Sequence, residues 1–288
     1  CKTDPSRPPT WMIRADRVTH DTVDHTIAYN RAWMEMGRVP MFYVPYFSHP
    51  DGSVKQKSGF LTPVVKINSQ NGPGMLNRYY WAMDPSRDAT LGAELYTKQA
   101  PRMTGEYRQR FDNADVTLDG SFTNSERHVT QNGSTAVIPA DWRGHLFGKA
   151  KWDMTDQWRS GVNLAVTSDE QYLRQYDISS KDVLENEVFA ERFDNRDYAV
   201  VRAMAFQDVR TSDRRTDQPN ILPEAQARFY GAPGNVLGGR ALLDSSFLGL
   251  ERSDGGDDMT RLSSALSWQR RDVTSFGLVT TTDVMGRG

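Results

Sequence analysis

Two histidines and two aspartates fall within six residues in HDTVDH, His20 to His25. Imidazole and carboxylate are common ligands of divalent metals, so this run is the first place to look for chemistry. A metal site needs convergent donors, however. A short run of Asp and His between two alternating apolar segments reads more simply as a turn whose Asp side chains bond the backbone. His49, His128 and His145 stand apart from one another. The sequence contains no nucleophile elbow, P-loop, HExxH or CxxC. GAPGNVLGG (231–239) is rich in glycine, but no helix is expected after it, and a phosphate loop needs a helix N-terminus. Asp257 and Asp258 sit in a glycine-containing loop, where solvated charge is the default. No enzyme, metal site or cofactor is expected.

Cys1 is the one cysteine, so it is either a free thiol or paired with a cysteine elsewhere. With 35 Lys and Arg against 37 Asp and Glu, the chain is not a broadly basic nucleic-acid binder. Only 38% of its 288 residues are hydrophobic, yet it has 7 Trp, 11 Tyr and 12 Phe. That balance suits a thin wall with one apolar and one polar face. No apolar run reaches the roughly 20 residues of a membrane-spanning helix, which leaves spanning strands open. Starting at Cys1 without a Met and ending in VMGRG, the sequence reads as a fragment.

The elements expected are strands. WMIRADRV, TIAYNRAWMEM and VPMFYVPYF (within 11–47) form a first unit, residues 1–55, resembling the end of a β-sandwich or jelly roll. From 56 to 288 the alternation becomes regular: Ala89, Leu91, Ala93 and Leu95, for example, interleave with Thr90 and Glu94. Period two puts one face in oil and the other in water. About thirteen strands of roughly ten residues are expected. Tight turns are expected at 84–88, 112–114, 153–156, 194–197, 231–234 and 270–272, with longer polar loops between them at 124–141, 168–182, 208–220 and 251–258. Short turns on one side and long loops on the other are the habit of outer-membrane barrels. Tyr79, Tyr80, Trp81, Trp152, Trp158 and Trp268 near strand ends are candidates for an interfacial aromatic girdle. DVLENEVFAERF (182–193) has capping-box spacing at Asp182 and Glu185 and could open a helix; a strand is the reading preferred. The fold class is thus all-β, with a partial barrel following a jelly-roll end.

VPMFYVPYFSHPDGSVKQKSGFLTP (39–63) resembles the lipopolysaccharide-assembly LptD (OstA/Imp) family. So do TWMIRADRVTHD (10–21), RYYWAMDPSRDATL (78–91) and SDEQYLRQYD (168–177), in the same order. The resemblance implies a periplasmic jelly roll feeding a 26-stranded outer-membrane barrel, of which this chain holds half. It implies that lipopolysaccharide travels along an apolar groove and leaves through a lateral gate between the first and last strands. Pro63 matches the proline of the family's first strand, with Gly59 and Phe60 beside it as gate residues; the competing reading is that Pro63 merely ends an edge strand. A second family proline is replaced by Arg78, and Gly72, Pro73 and Gly74 could loosen the neighbouring hairpin instead. Ile13, Ile27, Trp33, Phe42 and Tyr43 are candidates for the lipid groove or for ordinary core. Cys1 matches a cysteine that the family pairs with the end of the barrel. The implied partners are lipopolysaccharide, outer-membrane lipid, an LptE-like lipoprotein plug and an LptA-like periplasmic bridge, with no nucleic acid. The alternatives are a general porin or receptor barrel, and a soluble all-β structural or adhesion protein.

Overall fold

The computed structural model describes residues 11–36, 39–54, 56–68, 70–131, 134–210, 218–252 and 256–288. Three antiparallel strands come first: β1 (Trp11–Asp21), β2 (Thr26–Met36) and β3 (Val39–Pro50), in the order β1-β2-β3. HDTVDH closes the first hairpin. Asp21 Oδ1 accepts the backbone N–H groups of Val23 and Asp24, each at 2.9 Å, as an Asp does in an Asx turn. No metal-holding group of His, Cys, Asp or Glu is found among the described residues. The turn is instead fastened to the chain leaving β3. His20 Nε2 donates to Asp51 Oδ2 and Asp51 N–H to the His25 carbonyl, both at 2.9 Å, and Lys57 Nζ reaches the Asp24 carbonyl. The His20 hydrogen bond, then those from Ser53, hold the Asp51 carboxyl well below the usual carboxylate range.

The second sheet is antiparallel and runs in sequence order: β4 (Gly59–Phe60), β5 (Val64–Asn68), β6 (Gly72–Asp84), β7 (Arg87–Tyr96), β8 (Arg102–Arg110), β9 (Ala114–Gln131), β10 (Ser134–Asp153), β11 (Trp158–Thr167), β12 (Val183–Asp194), β13 (Asp197–Asp208), β14 (Asn220–Tyr230), β15 (Arg240–Glu251), β16 (Met259–Val273) and β17 (Val279–Arg287). It counts 14 strands, but β4 and β5 both pair with β6. They are two pieces of one strand, so the sheet is thirteen strands wide. In the segment 182–193 everything from Val183 on is strand, as β12 (Val183–Asp194), which pairs along its whole length with β13.

The alternation produces an inverted distribution. Trp81, Leu91, Met103, Leu118, Phe122 and Leu146 are exposed on one face, while Glu94, Arg102, Ser121, Thr123, Arg143 and His145 are buried on the other. A soluble sheet buries its apolar side; this one buries its polar side. The sheet also curls. The one-turn helix α1 (Tyr172–Gln175) lies between β11 and β12. Asn71, beside β6, bonds the Gln175 carbonyl, while Arg174 bonds the carbonyl of Val209, just past β13. In a flat sheet β6 and β13 would lie about 34 Å apart at roughly 4.8 Å per strand. A four-residue helix spans only about 6 Å. Both strands can reach it only if the sheet wraps around it, polar face inward.

Three expectations are corrected. Residues 124–131 and 134–141 are not loop: they belong to β9 and β10, with Gln131 opposite Ser134. The sequence between those two is Asn-Gly, a strong hairpin signal hidden in a polar run. Residues 270–272 are not a turn, since Arg270, Arg271 and Asp272 pair with Thr282, Thr281 and Thr280 inside β16 and β17. Arg270 bonds Asp272 two residues on, along one side of the strand, which suits the charges to a strand face. The turn comes at 274–278 instead, where Gly277 takes φ +87°. Finally, the connection at 231–234 extends through 239, so loop lengths are sorted less cleanly by side than the sequence suggests.

Candidate functional site

The free edge next to β6 is a strand with a flaw. Gly59 stands opposite Tyr80 and Val64 opposite Leu76, so five steps on the first strand match four on its partner. One extra residue is therefore inserted, and Thr62 and Pro63 together face Asn77. This is a β-bulge, one of the few places in a sheet where proline is tolerated. Side-chain direction changes parity across it: Phe60 is 77% exposed, and Val65 and Ile67 beyond the bulge are exposed on the same outer face. Leu61 N–H still donates to the Arg78 carbonyl at 2.8 Å, and pairing resumes at Val64. Phe60 packs edge-on against Tyr79, with centroids 5.2 Å apart. Arg78 lies on the inner face of β6, its side chain running over Gly92, where an added Cβ would come within 3.1 Å of its Cγ.

The inner face is occupied by the segment 168–182. Tyr172, Leu173, Tyr176, Leu184 and Val209 make a small apolar cluster inside the curl. Polar anchors surround it. Arg143 grips Asp169 with both arms of its guanidinium, at 2.7 and 2.8 Å, and donates to Gln175 Oε1 at 2.8 Å. Tyr172 Oη lies 2.7 Å from Ser121 Oγ and Tyr176 Oη 3.2 Å from Ser125 Oγ. Arg102, paired with the fully buried Glu94, lies over the Tyr176 ring at 5.0 Å. Lys66, on β5, stands 3.3 Å from Glu94 Oε1 and joins the first strand to this network. Burial alone would raise the Asp169 carboxyl; the Arg143 hydrogen bonds and charge outweigh it and hold the group below the usual range. SDEQYLRQYD (168–177) entered the sequence reading only as a stretch resembling the family, and none of these residues was given a role there. The signal was there in YLRQY, where Tyr172, Leu173 and Tyr176 have the spacing of one helical face inside an otherwise polar loop.

Placement of the candidates is uneven. Ile13 stands opposite Met34, and Met34 opposite Phe42 in register. The Trp33 and Tyr43 rings lie 4.7 Å apart, tilted by 45°, and alternation puts them with Ile27 on the opposite face of the three-stranded sheet from Ile13. The five groove candidates therefore do not line one surface. Tyr79, Trp81, Trp152 and Trp158 are exposed, all at the short-turn end of the sheet. Trp268 lies at that end too, its indole N–H bonded to the Val236 carbonyl at 2.7 Å. Tyr80 alternates to the inner face. Trp142, 66% exposed and in contact with Phe122 at the other end of the outer face, is an aromatic the girdle reading missed. Cys1 lies outside the described residues.

Comparison with known proteins gives one family. The family model described as LptD, LPS transport system D, matches residues 141–284, half of the chain. A protein of Yersinia pestis, "LPS-assembly protein LptD", is 27% identical over 226 residues, covering 76% of this chain and 28% of its own length. Proteins of that name from Methylococcus capsulatus and Psychrobacter cryohalolentis are each 32% identical, over 57% and 59% of this chain and 15% and 17% of their own lengths. The chain thus spans less than a third of these relatives, and the matched region runs from within β10 into β17. It belongs to the LPS transport system D family.

Proposed function

We propose that this chain is the gate-bearing part of an outer-membrane machine that moves lipopolysaccharide to the outer leaflet. On this reading residues 1–55 end a periplasmic jelly roll and residues 56–288 form the first half of the barrel. The observation that carries it is the bulged first strand, set at the free edge of an inside-out sheet and entered directly from a separate three-stranded sheet. An unflawed seam would resist opening, since each ladder bond contributes about 1 kcal/mol net. A bulge at Thr62 and Pro63 removes pairing at one point and leaves the rest of the wall intact. Gly59 and Phe60 border that point, with Phe60 facing outward where acyl chains would pass. The lipoprotein plug and the periplasmic bridge are the partners that fit, with lipid around the outer face. A solute pore fits less well, because segment 168–182 fills the inner face of β9 to β13.

The test uses the complete gene in living cells, with a photo-crosslinking residue in place of Phe60. Irradiation should yield a lipopolysaccharide adduct that disappears when the inner-membrane ATPase driving export is depleted. A Phe60 probe that captures only ordinary phospholipid, with or without the ATPase, would refute the gate.

A further inference from the structure

The hairpin tip joining β5 to β6 is held from inside the barrel. Asn71, 1% exposed, donates to the Gln175 carbonyl at 2.8 Å and accepts from Gln175 Nε2 at 3.2 Å. Asn68, the last residue of β5, donates to the same carbonyl at 3.3 Å and to Asp177 Oδ2 at 3.0 Å. Its own Oδ1 accepts Gln70 N–H at 2.8 Å, so one side chain both shapes the tip and fastens it.

The segment that does the fastening is anchored far from this edge. Asp169 is clamped by Arg143 on β10, Tyr172 rests on Ser121 of β9, and Arg174 reaches the carbonyl of Val209 past β13. Its contacts therefore divide in two. On the anchored side are a buried two-armed ion pair and an aromatic cluster. On the side of the first strand are three hydrogen bonds between neutral amide groups and one to a carboxylate. Neutral amide bonds are the weaker class and exchange readily with water.

From this division we infer that residues 168–182 are a latch on the gate: a fixed post with a releasable hook, Gln175 and Asp177, that holds the outer end of the first strand against the inside of the barrel. The inference rests on the gate reading above. Among the described residues the first strand pairs only with β6, and its middle is broken by the bulge. Swinging that edge outward carries Asn68 and Asn71 away from a post that cannot follow. Gate opening and hook release are thus one event.

Two measurements on the full-length protein test it. The first replaces Asn68 and Asp177, whose side-chain heads lie 3.0 Å apart, by cysteine and bridges the two thiols with a short bifunctional thiol cross-linker. The bridged protein, recognised by its gel shift, should deliver at least ten-fold less new lipopolysaccharide to the surface, while each single-cysteine variant delivers normally. Wild-type delivery through a bridged protein overturns the latch. If its Phe60 probe still captures lipopolysaccharide, the gate reading survives; a wild-type probe that never does so sinks the gate instead. The second is hydrogen exchange of Asn71→Ala in detergent, which removes the Asn71 bonds to Gln175 and leaves the Arg143 contacts in place. Amides at 72–76 should exchange about ten-fold faster, with those at 171–172 unchanged. Unaltered exchange at 72–76 overturns the hook even if no bridge forms.

Discussion

At the scale of single residues, Arg143 and Asp169 decide whether the inner segment stays folded. Their side chains are 5% and 8% exposed, so removing one partner leaves a buried charge without compensation. Arg143→Ala should cost about 3 kcal/mol. Arg143→Lys should recover part of that, because a lysine keeps the charge but not the fork. The Gln171 and Tyr172 amides, which donate to Asp169 Oδ1 at 3.1 and 3.0 Å, report the loss as faster hydrogen exchange. The pH dependence has a definite sign. Asp169 is held below its ordinary value, so its contribution is fully present above roughly pH 4 and is lost as the pH falls through the lower folded value. Protection should be flat from neutral pH down to about 5 and fall only in stronger acid; Asp169→Asn should abolish the acid-dependent part. In the sequence Arg143 was one polar residue in an alternation. What it grips lies 26 residues away, and period two says nothing about such a partner.

At the scale of elements, the bulge changes what Pro63 means. The sequence points to a missing N–H donor. The register shows an extra residue as well, and the residue is the larger flaw, because a bulged position is left unpaired whatever its side chain. Pro63→Ala should therefore change the seam by no more than about 1 kcal/mol. Deleting Thr62 together with Pro63→Val should restore a continuous ladder to β6. Its effect should be much the larger on hydrogen exchange across 59–66 and on lipopolysaccharide capture at Phe60; equal effects of the two variants would return the explanation to the lost donor alone. Most strands were legible because each has to keep one face in one environment. The exceptions have local causes. The β9–β10 pairing was hidden by polar composition, although the sequence between Gln131 and Ser134 is Asn-Gly, and β16 runs through Arg270, Arg271 and Asp272, of which Arg270 and Asp272 pair with each other. The inward fold of 168–182 was not legible, because strand periodicity does not say which loop turns into the lumen.

At the scale of the whole molecule, two aromatic levels on β10 measure the wall. Trp142 and Trp152 are both outward and exposed, ten residues apart on one strand, with Gly144, Leu146, Gly148 and Ala150 alternating between them. At about 3.3 Å per residue that is roughly 33 Å along the strand. A tilt of about 40° reduces it to about 25 Å, the height of the apolar band of an outer-membrane barrel. Phe122 keeps company with Trp142, and Trp158 lies two residues beyond Ser160, the partner of Trp152, so the spacing is not confined to one strand. Leu118, opposite Gly148, then lies near the middle of the bilayer. In the full-length protein in vesicles, brominated lipids should quench a tryptophan at Leu118 most when the bromine is deep in the chains. Trp142 and Trp152, as single tryptophans, should prefer shallow bromines. Charge should follow the same profile: Leu118→Arg should cost about 2–4 kcal/mol of unfolding free energy, whereas Trp142→Arg should lose about 1 kcal/mol or less to depth. Equal quenching at all three positions, or equal cost for both arginines, would mean that the exposed apolar face meets protein or water and not lipid, and the gate would then open onto nothing.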